Sequence, residues 1–277
     1  MRKTLSLLTL AAAAAGPVQA AGTTLANGDF AFTGVNVNTT VGGWSFVTFV
    51  DLAAGTTIFF TDTNVLQTPT AAGVFSTTAE TFWSWTASAD VAAGTSVALL
   101  GTGVNGAYAA RSGAAGGVAN GTVTNHNNGT SNISSSGDIL YAYQAAAYAT
   151  NYQPSAITFL GAISNRGSYT SSDNPTAATG LAGIQLREFK FDAVTATRYT
   201  QFTAKVTTND APYSSLADLK AALALNANWT TVTGSNSLPI VSDVLAVSAV
   251  PEPQSLALWL AGLGVIGGVA ARRSRQR

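Results

Sequence analysis

Two residue types that build many reactive sites are almost missing from this chain: there is no cysteine, and the one histidine is His126. Without cysteine there is no disulfide framework, so a body of this length must hold its fold by burying an apolar core. A zinc centre or a Ser-His-Asp triad would depend entirely on His126, which lies among asparagine and glycine residues. We therefore expect His126 to be an exposed loop residue, and we predict no catalytic, cofactor-binding or metal-binding residues.

Charge is also scarce, because Asp, Glu, Lys and Arg together make up 9% of the sequence. The formal net charge is zero, but six of the thirteen basic residues and one of the thirteen acidic residues lie in two short terminal segments. The body between them, residues 21–250, has seven basic and twelve acidic residues, a net charge of −5. A body of this sign has no basic patch to attract phosphates, so we exclude nucleic acid as a partner.

The first twenty residues have the three parts of a secretory signal peptide. Arg2 and Lys3 give a positive start, and an apolar core follows from residue 5 to residue 15. A small-x-small pattern then ends at Ala20, so signal peptidase is expected to cut after Ala20 or after Ala21. The chain is therefore expected to be exported, with residues 1–20 removed.

Residues 250–277 form a tail with three parts. The first part is Val250-Pro251-Glu252-Pro253, whose prolines lack N–H donors and fix φ, so it stays extended and open to a protease. Residues 255–271 carry no charge and would form a helix of roughly 26 Å, the short end of what spans a bilayer. Four arginines then resist translocation and would stay in the cytoplasm: Arg272, Arg273, Arg275 and Arg277.

This order of features resembles the PEP-CTERM sorting signal of Gram-negative, biofilm-forming bacteria. The resemblance rests on Pro251, Glu252, Pro253, the apolar helix and the arginines, and it covers about a tenth of the chain. It implies transient anchoring in the inner membrane, removal of the tail by the membrane protease exosortase, and transfer of the body to the cell surface or extracellular matrix. A plain membrane anchor is the alternative, while a GPI-type signal is disfavoured because its hydrophobic tail normally lacks a basic end.

The body, residues 21–249, has the pattern of an all-β protein. Short aromatic and β-branched runs recur between turn residues, which favours a β-sandwich. Alternation places Trp83 and Trp85 on one face of their strand, and Tyr141 and Tyr143 on one face of a later strand. Strands are expected in these segments: 28–34, 44–50, 56–61, 82–86, 96–100, 138–144, 157–163, 185–191 and 199–206.

A short internal repeat is visible, because Asp51-Leu-Ala-Ala-Gly55-Thr-Thr-Ile58 recurs 39 residues later as Asp90-Val-Ala-Ala-Gly94-Thr-Ser-Val97. Each copy follows an aromatic strand and precedes an apolar one. We interpret both copies as strand–turn–strand units in which Gly55 and Gly94 supply the special backbone angles of the turn.

One short late helix is predicted after Ser214 or Ser215, with leucines 216, 219 and 223 on one face. It is expected to pack on an edge of the sandwich. In contrast, the glycine-rich stretch 101–137 is expected to be a long surface loop or a loose hairpin.

The body also resembles secreted bacterial β-domains related to the lamin-tail, immunoglobulin-like fold. The resemblance spans most of residues 28–235, and it implies an immunoglobulin-like sandwich. Such domains often accompany separate catalytic or calcium-binding modules, and we expect no such module here. The resemblance rests on Gly28-Asp29-Phe30-Ala31-Phe32-Thr33-Gly34, Phe60-Thr61-Asp62, Ala93-Gly94-Thr95, Ser136-Gly137-Asp138, Tyr141-Ala142-Tyr143-Gln144 and the leucine-rich helix before Trp229.

Two groups of side chains leave alternatives open. Trp44, Trp83, Trp85, Tyr141 and Tyr143 either pack in the core, which we favour, or form a sugar-stacking platform. Five aspartates flank the expected strands and either bond to nearby backbone in Asx turns, which we favour, or hold a calcium ion. These aspartates are Asp29, Asp51, Asp62, Asp90 and Asp138.

The sequence therefore indicates an exported surface or extracellular-matrix protein with a structural or adhesive role and no catalysis. Its expected partners are signal peptidase, an exosortase-type membrane protease, and exopolysaccharide or other matrix proteins. One alternative is a carbohydrate-binding module for exopolysaccharide. The other is a hydrolase that uses Asp62 and Glu80 as a carboxylate pair at one end of the sandwich.

Overall fold

The computed structural model describes residues 22–37, 42–76, 80–104, 106–113, 117–126, 133, 138–164, 178–188, 198–202 and 213–233. These residues form an all-β protein with a short helix, which confirms the predicted fold class. The expected signal peptide (1–20) and the sorting tail (250–277) lie outside the described residues. Within the described ranges, no helix has both the length and the apolar character needed to cross a membrane.

In the described part of the chain, fifteen strands and a helix are present. The strands are β1 Phe30–Asn36, β2 Gly43–Thr48, β3 Thr57–Thr61, β4 Val65–Thr70, β5 Gly73–Phe75, β6 Phe82–Thr86, β7 Ser96–Gly101, β8 Tyr108–Ser112, β9 Val118–Ala119, β10 Thr122–Asn125, β11 Ile139–Ala145, β12 Ile157–Ser164, β13 Leu186–Glu188, β14 Arg198–Phe202 and β15 Trp229–Thr233. The helix, α1, is Leu216–Ala224.

The strands form two large sheets and a separate hairpin. The seven-stranded sheet has the order β15-β14-β1-β2-β7-β8-β9, and all its neighbours are antiparallel. The six-stranded sheet has the order β10-β6-β3-β11-β12-β13, in which β12 and β13 are parallel. Strands β4 and β5 pair only with each other.

The two large sheets pack face to face through aromatic side chains. Trp44 of the seven-stranded sheet meets Trp83 of the six-stranded sheet with ring centroids 5.2 Å apart. Phe46 and Phe60 make a second contact across the interface at 5.7 Å. All four side chains are fully buried, so this first core supplies much of the apolar burial that replaces disulfides.

A second core covers the other face of the six-stranded sheet. Strand β11 shows both sides, because Leu140 and Ala142 lie in the first core while Tyr141 and Tyr143 lie in the second. The β4–β5 hairpin covers this face with Val65, Val74 and Phe75. The predicted alternation in β11 is therefore confirmed, and its two apolar faces contact two different cores.

The expectation of a surface loop over residues 101–137 is wrong for its described part. Strands β8, β9 and β10 lie there, and β8 pairs with β7 in the seven-stranded sheet. Tyr108 and Ala110 of β8 face the first core, while Ala109 and Arg111 are exposed. The alternation is weak in the sequence because alanine occupies both an inner and an outer position.

The two repeat copies form a pair. The arches, residues 51–55 and 90–94, each carry the chain from one large sheet to the other, from β2 to β3 and from β6 to β7. They meet at Leu52 and Val91, whose N–H groups each donate to the other's carbonyl oxygen at 2.8 Å. Gly55 and Gly94 have φ of 87° and 80°, which confirms the turn interpretation.

Helix α1 begins as predicted. Ser215 is the N-cap, and its Oγ accepts a hydrogen bond from the N–H of Asp218 at 3.1 Å. Leu219 and Leu223 are buried in the first core beside Trp229 of β15, the edge strand of the seven-stranded sheet. The helix thus packs near a sheet edge, as expected. The predicted strand extensions 189–191 and 203–206 lie outside the described residues.

Candidate functional site

Three carboxylates meet at one end of the six-stranded sheet because of its antiparallel order. Asp62 follows β3, while Glu80 and Asp138 precede the flanking strands β6 and β11. Both flanking strands run antiparallel to β3, so they begin at the end where β3 finishes. One carboxylate oxygen from each residue lies within 4.8 Å of the others, and we call these three residues the acidic cluster.

Hydrogen bonds fix two of the carboxylates. The Oδ1 atom of Asp62 accepts from the N–H of Thr81 at 2.7 Å. The Oδ1 atom of Asp138 accepts from the N–H of Ile139 at 2.8 Å. The chain around Glu80 is held as well, since the Glu80 N–H donates to Oγ1 of Thr63 at 2.9 Å. The cluster is therefore built by backbone bonds that tie β3 to the start of β6.

Burial and mutual repulsion dominate the electrostatics of the acidic cluster. Asp62 and Asp138 are 2% and 5% exposed, whereas Glu80 is exposed. Burial, then the charge of Asp138, then that of Glu80 raise the pKa of Asp62 to about 8, despite the opposing hydrogen bond from Thr81. Asp62 therefore carries a proton at neutral pH.

This geometry supports two kinds of chemistry. Three carboxylate oxygens at these separations could surround one hard cation such as Ca²⁺, or the cluster could hold a proton on Asp62. The expectation that Asp62 and Glu80 share a sandwich end is confirmed. A hydrolase needs both carboxyl groups to reach the substrate, and Asp62 is buried, so the pair is a poor acid–base couple.

The remaining strand-flanking aspartates act as backbone acceptors. Asp29 Oδ2 accepts from the N–H of Ala26, a local bond of 2.9 Å. Asp51 and Asp90 instead bond to the opposite arch, more than thirty residues away in sequence. The local Asx-turn interpretation is therefore wrong for Asp51 and Asp90, because the pairing of the arches brings distant N–H groups within their reach.

His126 is not the exposed loop residue that the sequence suggests. It follows β10, is half-buried, and its Nε2 lies 2.9 Å from Oγ of Ser84. Its ring stacks on Tyr148 with centroids 4.2 Å apart and planes 9° apart. Burial lowers the pKa of His126, which favours the neutral imidazole. The sequence gives no signal for this contact, since the three residues come from separate segments.

The candidate sugar platform is absent among the five aromatic residues considered. Trp44, Trp83, Trp85, Tyr141 and Tyr143 are all fully buried. Trp85 also donates its indole N–H to the carbonyl of Asn120 at 2.8 Å, inside the protein. Core packing, the favoured interpretation, is therefore confirmed for all five.

The comparison with protein families identifies the tail. Residues 249–275 match the PEP-CTERM protein-sorting motif. The match covers Val250, Pro251, Glu252 and Pro253, and it includes the apolar segment that follows. This motif implies export through the membrane to the cell surface and processing by an exosortase-type protease. No curated protein and no solved structure matches the chain.

Proposed function

We propose that this chain is the precursor of a matrix or surface protein of a Gram-negative, biofilm-forming bacterium, with a structural or adhesive role and no catalysis. The observation that carries the proposal is the sorting motif at residues 249–275. A sorted enzyme would need an accessible reactive site, and two of the three carboxylates in the acidic cluster are buried. The body is proposed to act through its outer surface and its stability, with an immunoglobulin-like, lamin-tail-related sandwich as its family.

Maturation is proposed to involve one cut at each end. Signal peptidase removes residues 1–20, and the body crosses the inner membrane. The apolar segment 255–271 then stops transfer, while the terminal arginines stay in the cytoplasm. That arrangement places residues 250–253 at the outer membrane–water boundary, where exosortase cuts and frees the acidic body.

Exopolysaccharide or other matrix proteins are the proposed partners of the released body. The alternative of a carbohydrate-binding module loses its main support, because the aromatic residues proposed for stacking are buried. The hydrolase alternative is supported by the proximity of Asp62 and Glu80 but opposed by the burial of Asp62. A passive structural role is therefore the better proposal.

The test is to replace Pro251, Glu252 and Pro253 together with alanine in the full chain. We expect normal export but an uncut protein held in the inner membrane, detected by intact mass and by cell fractionation. A matched control, Pro239→Ala, removes a proline outside the motif and should be sorted normally. Surface delivery of the triple variant with its tail removed would overturn the proposal.

A further inference from the structure

The residues immediately after the expected signal-peptide cut are part of the folded body. We call residues 22–25 the N-terminal strap. Thr23 anchors it to the first arch, since its N–H donates to Oγ1 of Thr56 at 2.7 Å and its own Oγ1 accepts from the N–H of Ala53 at 2.9 Å. Leu25 is 2% exposed and lies in the first core.

Gln144 of β11 clamps the strap from the six-stranded sheet. Its Oε1 accepts from the N–H of Leu25 at 2.7 Å. Its Nε2 donates to the carbonyl oxygens of Thr23 and Thr57, each at 3.0 Å. One side-chain amide therefore bonds both to the strap and to the neighbouring strand β3, using its donors and its acceptor together.

Gly22 shows how closely the strap lies against the body. A Cβ atom at this position would fall 2.7 Å from backbone atoms of Gly55 and Thr56. Backbone atoms cannot move aside as a flexible side chain can, so any larger residue would displace the strap. The tight contact therefore begins at residue 22, directly after the two candidate cleavage positions, Ala20 and Ala21.

We propose that the strap and signal peptidase compete for the same residues, so that the peptidase must cut before the strap docks. A protease binds extended chain on both sides of the bond that it cuts. An extended residue spans at most about 3.6 Å, so a bond after Ala20 lies within roughly 7 Å of Gly22. A docked strap leaves no room there for an active site. A body that folds ahead of the cut thus protects its own cleavage site.

The order that follows is cleavage, then docking of the strap, then completion of the first core by Leu25. This order rests on the signal peptide assigned under the proposed function, but it is independent of the sorting tail. It also makes strap docking the step that commits the exported body to its final fold, because Leu25 and the bonds of Gln144 form only then.

The test uses the purified full-chain precursor in detergent micelles with signal peptidase, in the triple-alanine tail background so that sorting plays no part. Precursor diluted from urea directly into the peptidase should be cut rapidly. Precursor folded beforehand should be cut about tenfold more slowly or less, because cutting then follows the rare opening of the strap. The measurement is the rate at which the N-terminal fragment appears.

Gln144→Glu tests the clamp, since it keeps the acceptor for Leu25 but removes both N–H donations. It lies far from the cut bond in sequence, so a faster cut in the folded precursor reports strap release. Gln153→Ala is the matched control, because Gln153 donates to the carbonyl of Ala71 elsewhere and should not change the rate. Near-UV circular dichroism of each variant verifies that the body has folded.

Two results would overturn the inference. One is equal cutting of the folded and the freshly diluted wild-type precursor. The other is an exported protein that retains residues 1–20 with the strap docked. If Gln144→Glu loses its near-UV spectrum, Thr56→Ala, which removes the acceptor of the Thr23 N–H, replaces it as the loosening variant.

Discussion

Asp51 and Asp90 hold each other's arch in place. The Oδ1 atom of Asp51 accepts from the N–H of Ala93 at 2.7 Å, and the Oδ1 atom of Asp90 accepts from the N–H of Ala54 at 2.8 Å. Equivalent residues of the two repeat copies thus exchange equivalent bonds, on either side of the Leu52–Val91 bridge. The repeat is therefore a structural pair that joins the two sheets at one end.

We expect the two aspartates of the arches to be energetically coupled. Asp51→Ala and Asp90→Ala should each lower the free energy of unfolding by about 1 kcal/mol, the usual effect of losing an exposed hydrogen bond. The double variant should deviate from additivity, because either change loosens the same pair of arches. Urea denaturation of the cycle measures this. Asp29→Ala combined with Asp90→Ala is the control and should be additive, since Asp29 bonds locally.

Stability should fall as the pH rises through the titration range of Asp62. The pKa of Asp62 is about 8 in the fold, above the value near 4 of an unfolded chain, so folding favours the protonated form. Its contribution is complete below about pH 4 and is lost as the pH approaches and passes about 8. Asp62→Asn should flatten this slope and raise the melting temperature at about pH 9. A slope unchanged in Asp62→Asn, measured beside Asp51→Asn as the control, would contradict this assignment.

A calcium titration separates the two chemical interpretations of the acidic cluster. We expect the melting temperature at pH 8 to be independent of calcium, because Asp62 and Asp138 are buried and each already accepts a backbone hydrogen bond. A rise in the wild type that is absent from Asp62→Asn would instead establish a cation site.

His126 should produce the opposite pH dependence. Burial lowers the pKa of His126 in the fold, so its contribution is present above the unfolded value of about 6.5 and is lost as the pH falls through the folded pKa. His126→Asn should remove this acidic loss. Tyr148→Phe, which retains a ring for stacking, is the control and should retain it. Thermal melts between about pH 4 and 7 measure the effect.

Trp83 should be a large contributor to stability. Trp83→Ala should lower the free energy of unfolding by roughly 3–5 kcal/mol, since the side chain is fully buried between the sheets. Val118→Ala, at a position 73% exposed, is the matched control and should cost little. A loss under about 1 kcal/mol for Trp83→Ala would contradict its place in the core. Reducing agent should leave both melting temperatures unchanged because the chain has no cysteine.

The sequence predicts best where side chains alternate strongly. In β11, aromatic and aliphatic residues occupy alternate positions, and the expected faces are the observed ones. In β8, alanine stands at both inner and outer positions, so the same rule gives no signal. Helix α1 was predictable because its cap and leucines are close together in sequence.

Contacts between distant segments were not predictable in detail. The meeting of Asp62 with Glu80 and Asp138 depends on the strand order around β3, which local patterns do not specify. The same holds for His126, whose partners Ser84 and Tyr148 come from other segments. The local sequence around each residue is compatible with an ordinary solvated turn.

The burial of β11 on both faces has a consequence for evolutionary drift. Tyr141 and Leu140 point into different cores, so neither parity of the strand offers a position where a charged substitution would reach water. Strand β8, in contrast, exposes Ala109 and Arg111 while burying Tyr108 and Ala110. Homologous chains should therefore diversify on the outward positions of β8 and hold β11 nearly fixed, which leaves new recognition specificities to arise on the seven-stranded sheet.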